Sequence, residues 1–161
     1  MLVLIVLIAS GVLYRTFFIP DSQKPVDTGT TKEITITILK NSWVFEPEDI
    51  YATRGDTLKL RFVNEDDYDH GVGIDAYGVS QRIPARATLD VPPFVVTKAG
   101  EFQFYCSVSC NQGISEKGKY KGQQRGHFDQ IGVLHVAEIG GASVADRGVV
   151  DTKSEVTLSV E

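Results

Sequence analysis

The sequence predicts an all-β, Greek-key β-sandwich behind one N-terminal transmembrane helix. The prediction rests on an apolar N-terminal run, several stretches of strict two-residue alternation, and Gly, Pro and Asp turn signals between them with no convincing 3.6-residue stripe. Its 161 residues, 42% hydrophobic and 23% charged, allow one hydrophobic core with appendages rather than two full domains. A net charge of -5 with acids and bases interleaved provides no basic stripe, so nucleic acid is not an expected partner.

Residues 2–13 are apolar except for Ser10 and Gly11, and Phe17, Phe18 and Ile19 extend the run beyond Arg15. Together they supply roughly 18 residues against the usual ~20 for a bilayer span, provided Arg15 snorkels to the interface. Residues 1–19 are therefore read as a membrane anchor. A cleaved signal peptide is the alternative, but no Lys or Arg precedes the run and no A-x-A site follows it. Either reading places the remainder outside the cytoplasm, as a single-pass protein of the cell membrane with its folded domain on the outer side. Residues 20–32 are polar, contain Pro25 and lack periodicity, as a linker would.

The folded domain is expected over residues 33–138. Glu33 to Leu39 alternates strictly, and Thr57 to Val63 alternates again after the Gly55-Asp56 turn. Further strands are expected at 88–91, at 102–106 after Ala99-Gly100, and at 132–137. Residues 139–161 form a tail that ends in an alternating Val156-Thr-Leu-Ser-Val160, which could add an edge strand; it carries no assigned function.

Cys106 and Cys110 are the chain's two cysteines, so they make either one local bridge or a pair of ligands. Cys106, Cys110, His127 and Gln130 each flank a predicted strand, which collects them at one end of the sandwich. His70 reaches the same end from the segment Asn64 to His70, after the strand ending at Val63. Two thiolates and two imidazoles make a metal site by composition, and such soft donors select copper or zinc over magnesium or calcium. A tetrahedral zinc site is the rival. A rigid sandwich suits copper, because electron transfer is fast when coordination barely changes, and two cysteines in one loop can bridge two ions with one imidazole for each. His135, alternating within a predicted strand, is expected to be an exposed structural histidine.

The order His70, Cys106-Ser-Val-Ser-Cys110, His127-Phe-Asp-Gln130, preceded by Phe45-Glu-Pro-Glu-Asp-Ile50 and Gly55-Asp56, resembles the CuA domain of cytochrome c oxidase subunit II. Related CuA domains occur in nitrous oxide reductase and some nitric oxide reductases. The resemblance covers about residues 33 to 138 and implies a cupredoxin-like fold; the short anchor is similar to that of one-helix subunits II. It implies Cys106 and Cys110 as bridging thiolates to two copper ions, His70 and His127 as terminal ligands, and the Val108 carbonyl as a weak ligand. It also puts Trp43 near the site, where a plain core or surface aromatic is the alternative.

Two departures stand out. Gln130 occupies the place of the family's weak axial methionine, and the chain has no methionine but Met1. A glutamine oxygen is a harder donor, which implies a lower potential if it ligates. Second, sixteen residues, 111–126, separate Cys110 from His127, where the family usually has three. Loop-closure scaling puts the extra cost at about 1.5 kcal/mol, against the order of 10 kcal/mol a tight metal site supplies, so the site survives the insertion. The Gly-rich, basic insertion is expected to be either a flap beside the copper or a solvated loop.

The resemblance implies an electron-transfer subunit that itself performs no catalysis. It would accept electrons from a cytochrome c or small copper protein and pass them to a haem in a membrane subunit of a respiratory oxidase. A mononuclear cupredoxin or copper-delivery protein is the second reading, and a zinc-stabilised interaction module the third.

Overall fold

In the central strands, alternation in the sequence becomes alternation in burial. Leu58, Leu60 and Phe62 point inward and are buried, whereas Lys59 and Arg61 between them are exposed, the period of two that half-buried strands obey. The computed structural model of the chain describes residues 2–18 and 29–139. Its strands are β1 (Thr31–Ile38), β2 (Phe45–Glu46), β3 (Asp49–Thr53), β4 (Thr57–Asn64), β5 (His70–Ile74), β6 (Val79–Ile83), β7 (Thr88–Asp90), β8 (Phe94–Val95), β9 (Gly100–Tyr105), β10 (Gln112–Ile114), β11 (Gln124–Gly126) and β12 (Ile131–Ala137).

Two five-stranded sheets result. One runs β2-β1-β4-β7 with β8 also on β4, the other β3-β12-β9-β5-β6, and β10 and β11 form a separate hairpin. β1 and β4 are parallel, as are β3 and β12, while the remaining pairs are antiparallel. This is the mostly-β sandwich the sequence predicts. Its core joins Ile36, Ile38, Leu58, Leu60 and Phe62 from the first sheet to Ile50, Val72, Ile74, Phe104 and Leu134 from the second. Phe45 sits where the two meet, 5.8 Å from the Phe62 ring and 5.2 Å from that of Phe104.

The expected strands at 33–39, 57–63, 88–91, 102–106 and 132–137 correspond to β1, β4, β7, β9 and β12. His70, expected in a loop, opens β5, a strand buried along its whole length. The insertion folds as the β10–β11 hairpin, with Ser115 buried and most of its other residues exposed. His135 is less exposed than expected. Its side chain is 13% exposed, stacks on Tyr51, and has Asp49 and Glu101 carboxylates at 2.9 and 3.3 Å.

At the N-terminus the apolar run forms one helix, α1 (Leu2–Phe17), of 16 residues. At 1.5 Å per residue it is about 24 Å long, short of the ~30 Å hydrocarbon core. Among the described residues no helix is long and apolar enough to cross a membrane. Most of the expected linker and tail, together with Met1 and Ile19, lies outside the described residues.

One glycine marks how closely the site-bearing strands pack. A Cβ on Gly132 would lie 2.1 Å from Phe104 Cζ and 2.6 Å from the Glu48 carbonyl oxygen, and the second of these is backbone that cannot swing away. Gly132→Ala is expected to lower stability by about 3 kcal/mol, the upper end of overpacking costs. Urea unfolding of the metal-free chain checks it.

Candidate metal centre

Three strand ends bring the donors together. β9 ends at Tyr105 and releases the Cys106–Cys110 loop, β5 begins with His70, and His127 to Asp129 form a single 3-10 turn before β12. The cysteine loop lies directly on Gly71, where a Cβ would meet Val108 Cγ2 at 2.9 Å and Ser107 Oγ at 2.4 Å. The absence of a side chain there lets the loop reach His70.

Cys106 and Cys110 are free thiols, each 2% exposed, with their sulfurs 3.3 Å apart. They are not disulfide-bonded. His70 Nδ1 lies 3.8 Å from Cys106 Sγ and His127 Nδ1 3.7 Å from Cys110 Sγ. The ligand atoms of His70, Cys106 and Cys110 all lie within 4.8 Å of one another; His127 joins this group through Cys110. The Val108 carbonyl oxygen is 3.1 Å from Cys106 Sγ, and Gln130 Oε1 is 3.5 Å from Cys110 Sγ and 2.8 Å from His70 Nδ1. All six residues singled out in the sequence therefore converge on one pole. Trp43 is there too, 3% exposed, its indole N–H donating to the Cys110 carbonyl at 2.8 Å.

Sequence reasoning missed Asp66. It is fully buried, its Oδ2 lies 2.9 Å from His70 Nε2, and its Oδ1 accepts the Asn41 N–H at 2.8 Å. A carboxylate on the remote nitrogen fixes the imidazole's tautomer and turns Nδ1 toward the cysteines. The available signal was the His70-minus-four spacing within an acid-rich segment, which reads equally well as solvated surface. Asp66→Ala is expected to weaken metal binding about 10- to 100-fold, the range typical for such partners, as measured by competition with a chelator.

The electrostatics follow from this crowding. Burial alone would push the His70 imidazolium pKa down, but its bonds to Asp66 and to the Cys106 sulfur outweigh that and raise it to about 9. The Cys110 S–H donating to Cys106, opposed by burial and helped by His70, lowers the Cys106 pKa well below the ordinary thiol range. Cys110, holding that shared proton in a buried position, is driven far above the ordinary thiol range. A metal ion bound at this pole would displace the protons that the thiols and His70 hold.

The donor set fits a soft, thiophilic ion: two sulfurs, imidazole nitrogens and weakly placed oxygens inside an apolar shell. Of three buried side-chain polar atoms without a hydrogen-bond partner among the described residues, Gln130 Nε2 is the one on a residue of this donor set, and Gln130 is 0% exposed. A buried amide without a partner is costly, which marks Gln130 as a side chain placed for the site rather than for packing.

Residues 6–114 match the family described as Cupredoxin-like domain. Among solved structures, dithionite-reduced auracyanin from Roseiflexus castenholzii aligns at 13% identity with a TM-score of 0.50, over 68% of this chain and 99% of that one. A blue copper oxidase from Nitrosomonas europaea aligns at 16% identity and TM-score 0.50, over 74% of this chain and 42% of that one. Copper nitrite reductase from the same organism aligns at 17% identity and TM-score 0.49, over 68% of this chain and 42% of that one. The chain thus spans less than half the length of these two larger proteins, and at such identities the likeness concerns the fold. No curated protein matches the chain by sequence. With the family match covering more than half of its length and the sandwich carrying its donors at one pole, the chain belongs to the cupredoxin-like domain family.

Proposed function

We propose that the pole holds two copper ions in a CuA-like centre and that the protein is an electron-transfer subunit similar to subunit II of cytochrome c oxidase. The observation that carries the reading is the pair of buried sulfurs 3.3 Å apart, each with its own imidazole Nδ1 at 3.7–3.8 Å. Cys106 and Cys110 would hold both ions between them, His70 and His127 one each, with the Val108 carbonyl and Gln130 as weak ligands. Bound copper supplies reversible one-electron chemistry.

The chain's own residues do the rest. His70, fully buried and oriented by Asp66, keeps water from one side of the centre. His127 is half-buried and packs edge-on against Phe128, which is 88% exposed, so this imidazole offers the short path to the surface. Donors fixed at the ends of β5, β9 and β12, neighbours in one sheet, change little between oxidation states, which favours fast transfer over substrate chemistry. On this reading a cytochrome c or small copper protein is the donor and a haem-bearing membrane subunit of a respiratory oxidase the acceptor. Residues 1–19 tether the domain to the outer face of the cell membrane.

One observation favours a single-copper reading, as a mononuclear cupredoxin or copper-delivery protein. His70, Cys106 and Cys110 form the compact group, with Gln130 Oε1 only 2.8 Å from His70 Nδ1. Counting copper per chain after loading under mild reductant separates the two. Two atoms per chain support the binuclear proposal; one atom supports the alternative; a colourless protein that takes zinc instead contradicts both.

A further inference from the structure

We propose that Asn41 is a positioning residue for the centre, because the turn from Lys40 to Trp43 joins the three arms that carry the donors. The inference rests on reading His70, Cys110 and His127 as ligands. The first arm is reached by the Asn41 N–H, which donates to Asp66 Oδ1 at 2.8 Å while Asp66 Oδ2 holds His70 Nε2 at 2.9 Å. The second is reached by Trp43, whose indole N–H donates to the Cys110 carbonyl.

The third arm is the β10–β11 hairpin, which leads directly into His127. The Asn41 carbonyl accepts the Glu116 N–H at 3.0 Å, and Ser42 Oγ accepts the Lys117 N–H at 2.9 Å. Gly113 lies so close to the Trp43 ring that a Cβ would meet it at 2.8 Å. The Asn41 side chain adds a fourth tie, its Oδ1 accepting the Tyr68 hydroxyl at 2.8 Å, and Tyr68 packs between Trp43 and His70 with ring centroids 6.4 and 6.1 Å away.

Two residues of this turn are in left-handed backbone, Asn41 at φ 48° and Trp43 at φ 50°. Asparagine tolerates that region better than any side chain except glycine, whereas tryptophan does not favour it. Strain of this kind persists where surroundings over-determine it, often at functional sites, and here the surroundings are the ligand arms. In this left-handed conformation the Asn41 N–H and C=O reach Asp66 and the hairpin together.

The test uses the full metal-free chain first. Asn41→Val disfavours the left-handed turn, whereas Asn41→Gly keeps the backbone and loses only the Tyr68 tie. By NMR, the His70 ring N–H held by Asp66 is expected to exchange faster than wild type in N41V and to remain near wild type in N41G. After copper loading, the visible bands should change in N41V and be kept in N41G. Should N41V not fold, Asn41→Ala takes its place, with the same expectations at reduced size. Unchanged ring exchange and bands in the β-branched or alanine variant, whatever its melting temperature, would overturn the proposal, as would equal losses in N41G. The metal-free signal decides the positioning role even if the wild type binds no copper, so that result would sink the proposed function and not this inference.

Discussion

Replacing either Cys106 or Cys110 with serine is expected to remove the metal centre as a pair. Each sulfur is 2% exposed and lies 3.3 Å from the other, so in a shared site each contributes to both ions. A serine hydroxyl stays protonated, whereas the Cys110 S–H and His70 hold the Cys106 thiol well below the ordinary thiol range, and an oxygen donor is harder than the sulfur it replaces. Copper binding should weaken by more than the 10- to 100-fold typical of losing an outer-sphere partner, and copper per chain should fall to one or none. Metal analysis of each variant, with circular dichroism to confirm the sandwich is intact, checks this. Two firmly held ions in either variant would contradict the account.

Phe45→Ala should produce the largest loss of stability, about 3–5 kcal/mol, the range for truncating a buried phenylalanine. Phe45 is fully buried between Phe62 of β4 and Phe104 of β9, so the cavity opens between the sheets rather than at a margin that can collapse. Against a typical total of about 5–15 kcal/mol, such a loss is a large fraction of the metal-free domain's stability. Because Phe104 stands two residues before Cys106, the cavity also loosens the strand that delivers the cysteine loop. Chemical denaturation of the metal-free and copper-loaded forms should show the loss in both, with the loaded form higher in midpoint as bound metal stabilises the native state.

The parts of the fold legible in the sequence were those in which one face of a strand is wet. β1 and β4 announce themselves through Thr35, Thr37, Lys59 and Arg61 standing between apolar neighbours. β5 did not, because His70-Gly-Val-Gly-Ile74 is buried on both faces and carries two glycines where other chain segments approach, so nothing in it alternates. The β10–β11 hairpin was hidden for a different reason. Its three-residue strands are glycine-rich, and what holds them down is contact with Asn41, Ser42 and Trp43, some 70 residues earlier. The cysteines and histidines could be picked out because their chemistry is rare and their spacing specific. Asp66 and Asn41 could not, since an acid or an amide in a polar turn acquires its meaning only when the fold sets a histidine ring or another arm against it.

The most direct test of the two-copper reading is the electron paramagnetic resonance spectrum of the oxidised, copper-loaded full chain, taken with the copper count. The account expects two ions per chain sharing one unpaired electron, with hyperfine structure from both nuclei. A signal localised on one copper nucleus, at one ion per chain, would contradict it and leave a mononuclear site built from His70, Cys106, Cys110 and Gln130.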